Sequence, residues 1–195
     1  MAHIAALLEE LEAFGIEHDR THCARAERML NITRDTGQLL AVLIKAGAAR
    51  RVLEIGTSNG YSTLWLAQAT ASLGGSVTTV EASAHKVALA GTNFARAQLG
   101  QVIRLLQADA GAVLADSADG AFDFIFLDAE RAAYPAWWPH LRRVLAPGGT
   151  LVVDNAGSHY AQMAGFLEGI GADPGFTSCL VPVGKGEFIA VKAPP

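Results

Sequence analysis

The sequence predicts an α/β fold, a parallel sheet with helices on both faces and an antiparallel hairpin at its end. Three observations carry this. From Arg51 onward, short β-rich apolar runs alternate with helical stretches, the pattern of βαβ units. The first strand runs into a glycine turn and then a helix, in RVLEIGTSNGYSTLWL from Arg51 to Leu66. The tail changes character: Cys179–Val183, the turn Gly184-Lys185-Gly186, and Phe188–Lys192 read as a hairpin.

Taken in order, His3 to Phe14 has Ile4, Leu7, Leu8, Leu11 and Phe14 at helical spacing, with Gly15 as the expected stop. A polar stretch from Glu17 to Glu27 leads to Met29-Leu30-Asn31-Ile32. Thr33 is placed to cap a second helix from Arg34 to Ala46, ended by Gly47. Strands are expected at Arg51–Ile55, Ser76–Val80, Ile103–Gln107, Phe122–Leu127 and Gly149–Val153. Helices are expected at Ser62–Ser72, Ala84–Leu99, Ala110–Ala115 and Tyr134–Val144. Pro147-Gly148-Gly149 is a turn ahead of the fifth strand.

A chain of 195 residues that is 51% hydrophobic and 17% charged suits one compact domain with a substantial core. Its net charge of −4 leaves no basic footprint for nucleic acid or an anionic membrane. No apolar run reaches a membrane span and no signal segment opens the chain, so a cytoplasmic location is expected. Cys23 and Cys179 lie far apart without metal-type spacing and are expected to be free thiols. The six histidines form no zinc pattern.

The strand-glycine-helix unit lets backbone approach a ligand closely and points free helix N–H groups at it. Glu81 ends the next apolar run, where an acid can accept both hydroxyls of a ribose. Together they suggest a nucleoside-bearing cofactor. The spacing is not a dinucleotide fingerprint, because Ser58 stands where glycine is needed, nor a P-loop, because Tyr61 follows Gly60. A rival remains: Gly56-Thr57-Ser58-Asn59-Gly60 fits the hydrolase elbow G-x-S-x-G, and Asp128 or Asp154 with His159 would complete its order. Only a helical segment precedes Val52, and no HGGG-type oxyanion segment lies upstream, so this reading takes second place.

FDFIFLD ends at Asp128 and LVVDN at Asp154-Asn155, consecutive parallel strands whose carboxyl ends should lie side by side. Two carboxylates and an amide carbonyl make an all-oxygen set suited to Mg²⁺, Mn²⁺ or Ca²⁺. The plainer alternative is a helix cap at Asp128 and a turn at Asp154-Asn155.

E-x-G-x-x-x-G with Glu54 ahead of the turn resembles motif I of class I S-adenosylmethionine-dependent methyltransferases. With MLNITRDTGQLL, VEAS, FLDAERAAYP, VVDN and VPVGKGEFIAVK in order, the chain resembles the metal-dependent catechol / caffeoyl-CoA O-methyltransferase family from about Met29 onward. The resemblance implies a Rossmann-like, seven-stranded, mostly parallel sheet with its last strand antiparallel, and a homodimer. It implies that Glu54, Gly56 and Ser62 surround the methionine end of S-adenosylmethionine, with Ile32 in the segment closing over it. Glu81 becomes the ribose acid, Asp109-Ala110 holds the adenine, Asp128 also lines the donor site, and Asp128, Asp154 and Asn155 become ligands of a divalent cation. Residues 1–195 then form one methyltransferase domain, with 1–48 a helical segment covering the acceptor site and 49–195 the sheet core.

One position departs from the family. Its D-x-x-K-x-x-Y carries a lysine base, whereas this chain reads Asp128-Ala129-Glu130-Arg131-Ala132-Ala133-Tyr134. A guanidinium stays protonated, so Arg131 is not a general base. It either stabilises a phenolate or grips an anionic group of the acceptor, or it is a surface arginine paired with an acid such as Glu130. His159, Trp137, Trp138 and Tyr61 are lesser candidates around the same site. The expected function is O-methylation of a small hydroxylated aromatic with neighbouring hydroxyls, with Arg131 and Asp128 in catalytic roles. The alternatives are a serine hydrolase using Ser58 and a cofactor-binding protein that does not methylate.

Overall fold

The computed structural model describes residues 2–194. Two helices, α1 (Ala2–Thr21) and α2 (Arg34–Ala46), precede the sheet. Then come β1 (Arg51–Ile55), α3 (Tyr61–Ala71), β2 (Ser76–Glu81), α4 (Ala84–Arg96), β3 (Ile103–Gln107), α5 (Ala110–Asp116), β4 (Phe122–Leu127) and α6 (Tyr134–Val144). The chain ends with β5 (Leu145–Val153), α7 (Tyr160–Ala172), β6 (Phe176–Val181) and β7 (Glu187–Lys192). The seven strands run in the order β3-β2-β1-β4-β5-β7-β6, all parallel except β7, which is antiparallel to both neighbours. The order reverses between β1 and β4, the switch point where α/β sheets open a crevice.

Strand alternation divides the core in two. Val52, Phe124, Phe126 and Val152 face one way, under α1 to α4. Leu53, Ile55, Ile125, Leu127, Leu151 and Val153 face the other, against α5 to α7. The β1 interior is nevertheless interrupted by a charge, Glu54, on the face covered by α3.

The capping argument for α2 holds: Thr33 has extended backbone and its side chain accepts from the Thr36 N–H. Gly15 does not stop α1. A Cβ there would strike the Asn31 amide, so this glycine serves close packing, and α1 runs a further turn and a half to Thr21. That extension brings Asp19 to the N–H groups of Met29 and Leu30, at 2.6 and 2.9 Å. Helix α7 was not expected at all. Met163, Phe166, Leu167 and Ile170 form its buried stripe, while Gly165, Gly169 and Gly171 within it weaken the helical signal. β5 and β6 begin earlier than the sequence suggested, at Leu145 and Phe176, and β2 reaches Glu81.

Candidate active site

The hydrogen-bond ladder continues one residue past each central strand. Gly56 N donates to Val80 O, Asp128 N to Ile55 O and Asp154 N to Leu127 O, each at 3.0 Å. Gly56, Asp128 and Asp154 therefore stand in one row across β1, β4 and β5, at the carboxyl ends of the parallel strands. The antiparallel register Val153↔Phe188 sets Glu187 opposite Asp154 and so adds it to the row. Gly56 has φ +103, and a Cβ on it would collide with the Asp128 carbonyl oxygen, so the glycine permits the close approach of the Asp128 loop.

A cavity of about 740 Å³ opens at this edge. Ile32, Gly56, Ser58, Ser62, Glu81, Asp109, Ala110 and Asp128 all line it, as do Met29, Arg25, Lys86 and Trp137. Glu81 is held rigidly: Ser58 N donates to one carboxylate oxygen and Ser83 N to the other, both at 2.9 Å. Asp109 caps α5, accepting from Ala112 N at 2.9 Å, and Ala110 is buried beside it. Glu54 lies behind the cavity wall and does not line it. It is fully buried and receives three hydroxyls, Ser62 at 2.6 Å, Thr79 at 2.6 Å and Thr63. Burial still pushes its carboxyl up to about 7, against the hydroxyls that hold it down. Its structural consequence is to fix the rotamer of Ser62, which does face the cavity.

Ser58 has φ +49, a strained turn position such as an elbow nucleophile adopts. Its hydroxyl, however, donates to the Met29 carbonyl at 2.7 Å, and no histidine among the described residues lines the cavity. The hydroxyl pins the Met29–Ile32 segment from below, while Asp19 pins the same segment from α1.

Beyond Asp128 lies an acid cluster. Asp154 and Asn155 are buried, Asn155 has φ +61, and its amide nitrogen donates to the Asp154 carboxylate. Burial, then the neighbouring Glu187, pushes Asp154 up to about 8. Burial and the adjacent Asp154 raise Asp128 well above the ordinary carboxylate range, and the charges of Arg131 and Lys185 oppose this. Two carboxyls this close, each disfavoured as an anion, are a site short of positive charge. Their oxygen atoms with the Asn155 amide make a donor set that fits a hard divalent cation. Among the described residues no group of three or more His, Cys, Asp or Glu is arranged to hold a metal, so the candidate set includes the amide.

Arg131 is only 8% exposed, on a short 3-10 turn from Arg131 to Ala133, and forms no salt bridge among the described residues. The surface-pair reading is thereby overturned: among the described residues its one side-chain hydrogen bond runs from Nη1 to the Gln162 amide oxygen at 3.3 Å. Tyr134 closes the same turn by accepting from Ala129 N at 2.9 Å. His159 is half-buried, and its imidazole is pushed below its ordinary pKa by burial, then by Arg131, Arg25 and Lys185. Trp137 walls the cavity, whereas Trp138 packs edge-on to Phe166 at 6.0 Å. Arg25, Met29, Thr36, Lys86 and Glu187 were not singled out as site residues from the sequence. Of these only Glu187, a lone charge opening an apolar strand, left a local signal.

Comparison with known proteins decides the family. The family model described as O-methyltransferase matches residues 4–193. The chain belongs to the O-methyltransferase family. This is a family of S-adenosylmethionine-dependent enzymes. A relative from Mycobacterium avium, named as a candidate O-methyltransferase, is 31% identical, with 96% of this chain and 91% of that protein covered. Among solved structures, a candidate O-methyltransferase from Klebsiella pneumoniae is similar with a TM-score of 0.79 at 27% identity, covering 97% of this chain and 89% of that one. The Bacillus cereus O-methyltransferase in complex with SAH is similar with a TM-score of 0.78 at 28% identity, covering 96% and 90%. The class I methyltransferase fold expected from the sequence is the fold observed. No described helix is long and apolar enough to cross a membrane.

Proposed function

We propose that this O-methyltransferase takes S-adenosylmethionine in the cavity at the β1–β4 switch point and methylates a small aromatic acceptor bearing vicinal hydroxyls, with a divalent cation on Asp128, Asp154 and Asn155. The single observation carrying this reading is the row that sets the Asp128 and Asp154 carboxyls beside the cavity mouth. In it, Glu81 accepts the ribose hydroxyls, Asp109-Ala110 flanks the adenine, and Gly56, Ser62, Ile32 and Asp128 surround the methionine end. Glu54 acts one step removed, through Ser62. The Bacillus cereus relative binds SAH, which supports the donor assignment.

A divalent cation such as Mg²⁺ or Mn²⁺ supplies, when bound, a fixed seat for two oxygens and a lowered hydroxyl pKa. The chain's own residues do the rest. Arg131, buried and without an acid partner, stabilises negative charge on the acceptor and removes no proton. His159, kept neutral by its burial and the surrounding cations, is available to receive the acceptor's proton. Helices α1 and α2 form the roof of the acceptor site within one domain. Exposed Phe14, Ile16 and Val42 on these helices support a homodimer.

The test is a panel of catechol-type acceptors with labelled methyl donor, with and without Mg²⁺. Cation-dependent methylation of vicinal diols is expected. Full activity after exhaustive chelation would reduce the acid row to a structural feature and refute the cation assignment.

A further inference from the structure

The cation reading leaves Glu187 without a role, although it stands in the same row. Its side chain is 0% exposed, a costly place for a carboxylate that a hydrophobic residue could fill. One oxygen accepts the Thr36 hydroxyl at 2.9 Å, while Oε2 is buried and receives no N–H or O–H from another of the described residues. The strand register sets Glu187 directly opposite Asp154. Directly opposed like charges across strands destabilise a sheet, so Asp128, Asp154 and Glu187 in one row carry a cost. Arg131 is the one buried basic side chain among the described residues. Three carboxylates against the Arg131 guanidinium and the nearby Lys185 ammonium still leave an excess of negative charge, which a cation would offset.

Thr36 belongs to the first turn of α2, and this turn is locked to the β6–β7 hairpin. Gly184 N donates to Asp35 at 3.1 Å, and a Cβ on Gly184 would strike the Thr36 hydroxyl. The chain Thr36–Glu187–Asp154 thus has a fixed end on a capped helix and a working end at a candidate ligand.

We propose that Glu187 is an outer residue of the cation site: anchored by Thr36 opposite Asp154, it adds negative charge behind that ligand. This rests on the cation reading above. Partners of this kind, behind a ligand, typically hold 10- to 100-fold in metal affinity.

The test is Mn²⁺ binding to the full-length protein, followed by electron paramagnetic resonance, beside SAH binding by calorimetry and thermal unfolding without metal. Glu187→Gln is expected to weaken Mn²⁺ affinity by about 10- to 100-fold, leave SAH affinity unchanged, and keep or raise the unfolding temperature of the metal-free protein. Thr36→Val keeps the shape and removes the hydroxyl; it should lose several-fold in Mn²⁺ affinity, with Thr36→Ser restoring it. If Glu187→Gln fails to fold, the Thr36 pair decides. A wild-type protein that takes up no Mn²⁺ overturns the cation reading and this inference with it. Wild-type Mn²⁺ affinity in the variants, with a lowered unfolding temperature, overturns the inference alone and makes Glu187 a packing residue.

Discussion

Glu81→Ala tests the donor site most directly. In the structure this carboxylate accepts two backbone N–H groups, from Ser58 and Ser83, both at 2.9 Å. It is therefore oriented before any ligand arrives, and its remaining lone pairs face the cavity. Hydrogen bonds to a charged group are worth about 1.5–3 kcal/mol, which is about 10- to 150-fold in affinity. A second contribution adds to this. Ser58 is held at φ +49, a backbone state costing about 1–2 kcal/mol for a non-glycine residue, and the Glu81 contact helps to hold it there. Once freed, the turn relaxes out of the shape that lines the cavity. The loss should accordingly fall at the upper end, about 100-fold in the dissociation constant for S-adenosylmethionine or SAH. Titration calorimetry at constant pH measures it, with Glu81→Gln as the milder companion, since an amide keeps one acceptor and presents one N–H group to a donor. A dissociation constant within about twofold of wild type for Glu81→Ala would refute the reasoning.

Glu54 and Glu187 are raised to about 7 and Asp154 to about 8, from ordinary values near 4. Raised carboxyls bind protons more tightly folded than unfolded, so their stabilising effect is complete below about pH 4 and is lost as pH climbs through 7 to 8. In the presence of chelator the unfolding temperature should fall between pH 5 and pH 8, and Mg²⁺ should restore more at pH 8 than at pH 5; a flat or rising profile contradicts the buried-acid account. Arg131→Ala should lose methyl transfer without loss of SAH affinity, whereas Arg131→Lys should retain it and add an ionisation to the pH–rate profile, because a desolvated lysine titrates and a guanidinium does not. Unchanged turnover in Arg131→Ala would remove the side chain from the reaction. Gly56→Ala should cost about 2 kcal/mol or more in denaturant unfolding, from its positive φ and the collision with the Asp128 carbonyl, and should weaken cation and donor binding together.

What the sequence made legible depended on how local the cause was. The Thr33 cap of α2 and the bounds of β1, β3, β4 and α6 follow from residues within a turn or two of each other, and they stand where they were expected. Gly15 misled because its reason is a contact with Asn31, sixteen residues on in the chain. Helix α7 was hidden because its buried stripe is interleaved with glycines, and tertiary burial outweighs their poor propensity. At the site, the residues that meet at strand ends could be placed from the strand pattern alone. Glu187 could not, because only the register of an antiparallel strand brings it opposite Asp154. The buried state of Arg131 was equally non-local, depending on α7 and Gln162 to cover it.

Helix α7 carries a reserve of stability that the fold does not use. Nothing lies within 4 Å of where a Cβ would stand on Gly165 or Gly169, both inside the helix. Glycine in a helix interior costs about 0.8–1.0 kcal/mol relative to alanine, so replacing both should stabilise the protein by about 2 kcal/mol. The two sites lie on the far face from the Met163, Phe166, Leu167 and Ile170 stripe and touch no residue of the cavity or the acid row. A Gly165→Ala, Gly169→Ala protein is thus a reinforced background in which destabilising active-site variants can stay folded long enough for their binding and kinetics to be measured.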